Sequence, residues 1–183
     1  MENKGRLIII SGPSGAGKGT VLQEVFKANP QMKYSVSATT RLPRPGETHG
    51  VQYFFITKDE FEGKIRRGEM LEYASYCDNY YGTPVDFVEE QRGSGIDIVL
   101  EIEPCGARQV KEKCPDAISM FILPPSIEEL ERRLTGRGTE SAEVVAARIA
   151  QAKKELADAD QYDFKVVNDD VVRAADEINQ ILK

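Results

Sequence analysis

The run Leu7-Ile8-Ile9-Ile10 gives way at once to Gly12-Pro13-Ser14-Gly15-Ala16-Gly17-Lys18, and that junction limits the fold more than any other stretch. A continuous β-branched run closed by glycine is the pattern of a strand buried on both faces. Beyond Lys18 the period changes: Val21, Leu22, Val25 and Phe26 recur at helical spacing until Asn29-Pro30. The segment between fits G-x-x-x-x-G-K, and its place between a strand and a helix separates a nucleotide phosphate loop from a chance glycine-rich turn. Glycines let backbone N–H groups converge on phosphate oxygens. The helix N-terminus adds partial positive charge. Lys18 supplies a full charge between the β- and γ-phosphates of a triphosphate. Gly12, Pro13, Ser14, Gly15, Ala16, Gly17 and Lys18 are therefore candidate triphosphate-binding residues, with Lys18 also a catalytic candidate.

One position departs from the usual motif. Gly19 stands where a serine or threonine commonly offers its hydroxyl to Mg²⁺. Thr20 is the next hydroxyl and a candidate metal ligand. The alternative is Mg²⁺ held mainly by phosphates and water, which suits an ion that dehydrates reluctantly. Gly19 and Thr20 complete the ATP-side candidates of the loop. The Gly-Lys-Gly-Thr run also resembles nucleoside-monophosphate kinases.

Elsewhere the chain repeats the same α/β alternation. Strands are expected at Ile96 to Ile102, Ile118 to Leu123 and Phe164 to Val167. Pro104 suits the first turn of a helix. Ser126-Ile127-Glu128-Glu129 reads as a capping box, opening a helix supported by a Glu128–Arg132 pair and ended by Gly136 and Gly138. Further helices are expected from about Ser141 to Ala157 and from Val171 to Leu182. Units of this kind build a parallel sheet covered on both faces. A single domain of 183 residues with small insertions fits the length. The net charge of −6 argues against a whole-surface nucleic-acid binder. No apolar run approaches the ~20 residues of a membrane span, and Leu7 to Ile10 is too short for a signal-peptide core. A cytoplasmic protein is the expectation, one without membrane or nucleic-acid partners and existing as a monomer or homo-oligomer. Cys77, Cys105 and Cys114 show no metal or disulfide spacing and read as reduced, partly buried thiols. The single histidine, His49, reads as a loop residue.

The stretch from about Gln31 to Phe87 breaks the rhythm. It holds most of the aromatic residues, with short alternating pieces such as Tyr34-Ser35-Val36-Ser37 and Val51-Gln52-Tyr53-Phe54-Phe55, and one helical piece from Lys58 to Arg67. A small, mostly β insertion is expected. Within it, Arg41-Leu42-Pro43-Arg44-Pro45 presents two guanidinium forks on a stiff loop, an arrangement suited to a phosphate monoester.

At this point the sequence closely resembles guanylate kinases, over essentially its whole length. The resemblance rests on the phosphate loop, Thr39-Thr40-Arg41-Leu42-Pro43-Arg44-Pro45-Gly46-Glu47, Tyr80-Tyr81-Gly82-Thr83, Pro124-Pro125-Ser126, Gly136-Arg137-Gly138-Thr139-Glu140 and Val167-Asn168-Asp169-Asp170. It implies a P-loop kinase fold with a parallel sheet flanked by helices, a GMP-binding insertion and a helical lid. The implied division is core 1–33, insertion 34–87, core 88–125, lid 126–157 and core 158–183. It implies transfer of a phosphoryl group from ATP to GMP, or dGMP, with Mg²⁺. Ser37, Arg41, Arg44, Tyr53, Glu72, Tyr81 and Thr83 would bind GMP, with Arg41, Arg44, Tyr53 and Tyr81 on its phosphate. Arg133, Arg137 and Arg148 would act from the lid on ATP phosphates, Arg41, Arg137 and Arg148 joining Lys18 as catalytic residues. Asn168 matches a position near adenine. Glu101 and Glu103 end a central strand, where ligands of such sheets bind, and by resemblance face GMP and the metal. Asp commonly stands in place of Glu103, which leaves Glu101 as the safer assignment.

The chemistry agrees with guanine. Its N1–H and 2-amino group are two donors on one edge, which a carboxylate at Glu72 accepts together, while Ser37 and Thr83 can donate to O6. Adenine reverses that pattern and would leave buried groups unpaired. Two rival readings stand beside this one. A catalytically inactive guanylate-kinase-like module would bind peptide, and the lysine and lid arginines count against it. Another nucleoside-monophosphate kinase would turn over a different monophosphate.

Overall fold

The computed structural model describes residues 4–135 and 142–183. Its larger layer is a five-stranded parallel sheet. The strands are β1 (Leu7–Ser11), β2 (Lys33–Tyr34), β7 (Ile98–Glu101), β8 (Ile118–Leu123) and β9 (Phe164–Val167), in the order β2-β7-β1-β8-β9. β1 lies at the centre with every residue buried, as its unbroken apolar run requires. Alternate residues feed two cores. Ile8 and Ile10 pack with Val21, Leu22 and Val25 of α1 (Lys18–Ala28) and Ala174, Ala175 and Ile178 of α7 (Val171–Ile181). Leu7 and Ile9 pack with Val88 of α3 (Val85–Gly93) and Ala107 and Val110 of α4 (Pro104–Lys113). Each isoleucine so buried contributes roughly 1.5–3 kcal/mol. The expected α/β fold with helices on both faces of a parallel sheet is present.

A second sheet of four strands, β4-β3-β6-β5, comprises β3 (Ser37–Thr39), β4 (Tyr53–Phe55), β5 (Met70–Tyr76) and β6 (Asn79–Pro84). β3 runs parallel to β4 and antiparallel to β6, and β5 pairs antiparallel with β6. α2 (Lys58–Arg66) opens with a capping box in which Thr57 and Glu60 satisfy each other's backbone N–H groups. Its Phe61 stacks on Tyr80 and shares a small core with Ala38 and Met70. The third unit pairs α5 (Ile127–Thr135) with α6 (Ala142–Leu156) through Leu130, Leu134 and Ala152.

Several expectations are corrected in detail. The alternating piece Tyr34 to Ser37 is divided: Lys33–Tyr34 pairs with β7 in the large sheet, and only Ser37–Thr39 joins the small one. α3 has no clear helical signal in the sequence, because few of its residues form an apolar face and only Val88 among its apolar side chains is fully buried. Arg132 pairs with Glu129 at 2.7 Å, one residue closer than the expected Glu128. The same Glu129 also takes Arg133 at 2.8 Å. Ser126 caps α5 by accepting from the Glu129 N–H at 3.1 Å, as the motif predicts. All three thiols are free, but Cys77 and Cys105 are exposed and only Cys114 is partly buried. Cys77 sits with Asp78 at the β5–β6 hairpin tip, both at positive φ, so turn geometry fixes its place there.

Candidate active site

The phosphate loop leaves β1 and enters α1 through three glycines at positive φ, Gly12, Gly15 and Gly17. Gly12 admits no side chain: a Cβ there would stand 2.4 Å from the Ile122 carbonyl oxygen. Gly17 is the left-handed N-cap of α1, and a Cβ on it would meet the Asn168 side-chain nitrogen at 2.4 Å. The loop is thus shaped against β8 on one side and Asn168 on the other. Lys18 folds back over it, donating to the Gly12 carbonyl at 2.7 Å and the Pro13 carbonyl at 3.2 Å. Burial pushes its pKa down, while Glu101, Glu155 and Glu103 pull it back up.

The cleft beside the loop, about 510 Å³, is lined by Ser14, Gly15, Gly17, Lys18, Gly19, Thr20, Arg133, Asn168 and Glu101, among others. Pro13 and Ala16 are buried beneath it. Gly19 faces open space, with nothing within 4 Å of where a Cβ would stand. Thr20 is exposed. Arg133 donates to the Asn168 carbonyl at 3.2 Å. Arg148, from α6, donates to the Ser14 hydroxyl at 2.8 Å, so the helical pair touches the loop directly. Arg137 lies outside the described residues. Asn168 is 2% exposed and donates through Nδ2 to the Ala16 carbonyl at 2.7 Å. Its side chain therefore braces the loop from behind, across 152 residues of sequence.

A second cavity, about 380 Å³, opens between the small sheet and the start of α4. It brings together Ser37, Tyr53, Glu72, Tyr81 and Glu101. Glu101 lines both cavities and so marks their common wall. Burial raises its pKa, with Lys18 acting in the opposite direction. Glu72 is 7% exposed and accepts the Thr83 hydroxyl at 2.6 Å. Burial pushes the Glu72 pKa up, opposed by the Thr83 hydrogen bonds and the charge of Lys113. Thr83 is wholly buried behind Glu72, its hydroxyl committed to that carboxylate. Glu103, where Asp commonly stands in guanylate kinases, also lines the cavity, as does Cys105.

The arginine loop stands beside this cavity. Arg41 gives both terminal nitrogens to Glu47, at 2.7 and 2.9 Å, and a further hydrogen to the Leu42 carbonyl at 2.9 Å. Its Cζ lies 5.3 Å from the Tyr53 ring centre and 5.6 Å from that of Phe55. The Tyr81 hydroxyl is within reach as well. Glu47 also accepts the Arg44 backbone N–H at 2.7 Å, which closes the loop, while the Arg44 side chain stays exposed. The Arg41 pair holds the Glu47 carboxyl down at about 2. Glu47 was visible in the sequence only as part of a motif. Its function as a brace follows from its two contacts.

Two cavities sharing Glu101, one built on a phosphate loop and one on a buried carboxylate with Arg41 against its Tyr53 wall, are suited to two nucleotides. The guanylate kinase family model matches residues 4–183. Guanylate kinases of Streptococcus pneumoniae and Streptococcus agalactiae are each 54% identical over 184 aligned positions, spanning all of this chain and 88% of theirs. A crystal structure of guanylate kinase from Anaplasma phagocytophilum superposes with a TM-score of 0.75 at 32% identity, covering all of this chain and 86% of that one. A match that spans the loop, the small sheet and the helical pair together leaves one assignment: this chain belongs to the guanylate kinase family.

Proposed function

We infer that this chain transfers the γ-phosphoryl group of ATP to GMP, and to dGMP, in the synthesis and recycling of guanine nucleotides. The observation that carries it is Glu101 on the shared wall of two cavities, one at the Lys18 loop and one around Glu72. Residues 34–87 serve as the GMP-binding insertion, 126–157 as the lid, and the remaining segments as the core.

The loop from Gly12 to Thr20 wraps the ATP phosphates, and Lys18 exchanges its two loop carbonyls for phosphate oxygens. Glu72 accepts guanine N1–H and the 2-amino group, with Ser37 donating to O6. Thr83 aids recognition by holding Glu72 rather than by spending its hydroxyl on the base. Arg41, Arg44, Tyr53 and Tyr81 hold the GMP phosphate. The bidentate Glu47 contact uses the end of the Arg41 guanidinium and leaves its Nε edge for that phosphate. Arg133, Arg137 and Arg148 close on the donor from the lid, and Asn168 keeps the loop in shape next to the adenine side.

The acceptor oxygen of GMP is already anionic near neutral pH, so no strong base is required. That oxygen bonds to the γ-phosphorus as the bond to the bridging oxygen of ADP breaks. What the protein supplies is alignment and cations around the spreading charge. Closure of the lid excludes water and suppresses hydrolysis of ATP. Among the described residues no cluster of three acidic, histidine or cysteine side chains could cage a metal. Thr20 and Glu101, two of the oxygen donors in the loop cleft, would suit an Mg²⁺ ion that travels with the triphosphate and keeps much of its water. When bound, that ion neutralises charge on the β- and γ-phosphates.

No helix among the described residues is long and apolar enough to cross a membrane. A cytoplasmic setting, where both nucleotides are available, goes with this reading. A coupled assay of ADP formation with GMP, dGMP, AMP, CMP, UMP and dTMP tests it. Efficient turnover is expected only with GMP and dGMP; equal use of another monophosphate, or none of GMP, overturns it.

A further inference from the structure

Three residues of α4 converge on the strand that carries Glu72. Gln109 forms a two-point contact with the backbone of Tyr73, accepting its N–H at 3.1 Å and donating to its carbonyl at 3.1 Å. Lys113 donates to the carbonyls of Met70 and Leu71, at 2.8 and 2.9 Å. The backbone is therefore gripped immediately before and immediately after Glu72. One turn earlier, Gly106 lies against the Glu72 side chain itself: a Cβ there would stand 2.8 Å from Oε2. Positions 106, 109 and 113 fall at i, i+3 and i+7, one face of a helix.

This arrangement is more than packing. β5 is the outer strand of the small sheet, so its free edge is where pairing alone leaves the backbone least constrained. β5 and β6 also slip register between Met70 and Glu72, so the ladder does not fix Glu72 by itself. The Thr83 hydroxyl holds Oε1 and the absence of a Cβ at Gly106 makes room for Oε2. α4 continues from the end of β7, so it is anchored in the large sheet.

We propose that Gly106, Gln109 and Lys113 are positioning residues that determine guanine specificity by fixing the register of the Glu72 carboxylate against the base edge. The proposal rests on the reading of Glu72 as the acceptor of the two guanine donors. Reading both donors with one carboxylate requires each oxygen at hydrogen-bond distance from its own nitrogen. A displacement of a few tenths of an ångström weakens one contact before the other. Specificity then falls before turnover does.

The test compares kcat/KM for GMP with that for IMP, which keeps N1–H and O6 but lacks the 2-amino donor. In Gln109→Met, Lys113→Met and Gly106→Ala the GMP-to-IMP ratio is expected to narrow by about tenfold, the size of one weakened hydrogen bond to a charged group. KM for ATP should stay at the wild-type value, and Lys113→Arg, which keeps a donor, should restore the ratio. Equal losses for GMP and IMP, or an unchanged ratio in folded variants, overturn the proposal. If Gln109→Met does not fold, Gln109→Glu replaces it, retaining the acceptor for Tyr73 N–H while losing the donor. Glu72→Gln separates the two levels: an unchanged ratio there removes Glu72 from the base site, whereas a narrowed ratio there with wild-type ratios in the α4 variants overturns the α4 proposal alone.

Discussion

The phosphate loop and the small-sheet insertion border two cavities that share Glu101, but they are made of different materials. The loop is mostly backbone: three left-handed glycines, a helix N-terminus and one lysine, set on a strand buried throughout. The insertion is mostly side chain: Glu72, Arg41 and the tyrosines, over a core in which only Ala38, Phe61 and Met70 are fully buried. Backbone sites are specified by conformations that few residues can adopt, so their sequence tolerates little change. Side-chain sites are specified by partners, and several charged groups of the two cavities have one. Glu47 braces Arg41, Thr83 braces Glu72, and Glu129 braces Arg133. One region is thus shaped by backbone geometry and the other by paired charge.

The contrast can be broken from either side. The largest expected effect is Lys18→Met, which removes the one side-chain charge of the loop: kcat should fall on the order of 10²–10³, with KM for GMP nearly unchanged. A comparable rise in KM for GMP would mean the two halves are not separable. Glu72→Gln comes next. It should cut kcat/KM for GMP by roughly 10–100-fold, the scale of a hydrogen bond to a charged group, without altering KM for ATP. The same variant should melt higher than wild type at neutral pH, because burial disfavours the Glu72 charge. The sign follows from a folded pKa above the unfolded one. Glu72 is least costly to stability below its unfolded pKa and most costly once pH has risen through the folded value. The melting difference should therefore shrink as pH falls, and melting curves across that range check it. GMP affinity should weaken over the same range, at pH values above the ordinary carboxylate pKa, since the base needs the carboxylate form. Glu47 stays ionised throughout, its carboxyl being held at about 2.

Glu47→Gln should produce a smaller loss, about a tenfold rise in KM for GMP, because Arg41 keeps its charge but loses its orientation. Calorimetric binding of guanosine, which has no phosphate, should be unaffected; weakened guanosine binding would make Glu47 a general support of the insertion instead. Smallest of all is Gly19→Ser. The space at Gly19 is open, and the melting temperature should change by no more than corresponds to about ±0.5 kcal/mol. A marked destabilisation would show that the glycine is required by the protein rather than left available to the nucleotide.

Legibility in the sequence follows the same division. β1 and β8 are readable because a strand buried on both faces carries a largely apolar run, and the loop because its glycines and lysine are fixed in spacing. The insertion was recognisable by composition, and Arg41 and Arg44 by their prolines. What could not be read were the braces. Nothing local marks Glu47 as the partner of Arg41, Asn168 as the support of Ala16, or Gln109 and Lys113 as the clamp on β5. The last two depend on contacts that the fold creates between distant segments, and the Glu47 contact on how the loop from Arg41 to Glu47 turns back on itself. Arg132 shows the limit even within one helix: the expected partner at i−4 lost to Glu129 at i−3, which also serves Arg133.

The clamp on β5 has a consequence of another kind. An outer strand with unpaired backbone groups invites a strand from another molecule. Here Gln109 occupies both groups of Tyr73, and Lys113 occupies the carbonyls of Met70 and Leu71 with a charge that no incoming apolar strand can match. Two side chains of one helix thereby close this part of the edge to self-association, and a chain lacking them would be expected to aggregate under crowding before it lost its fold.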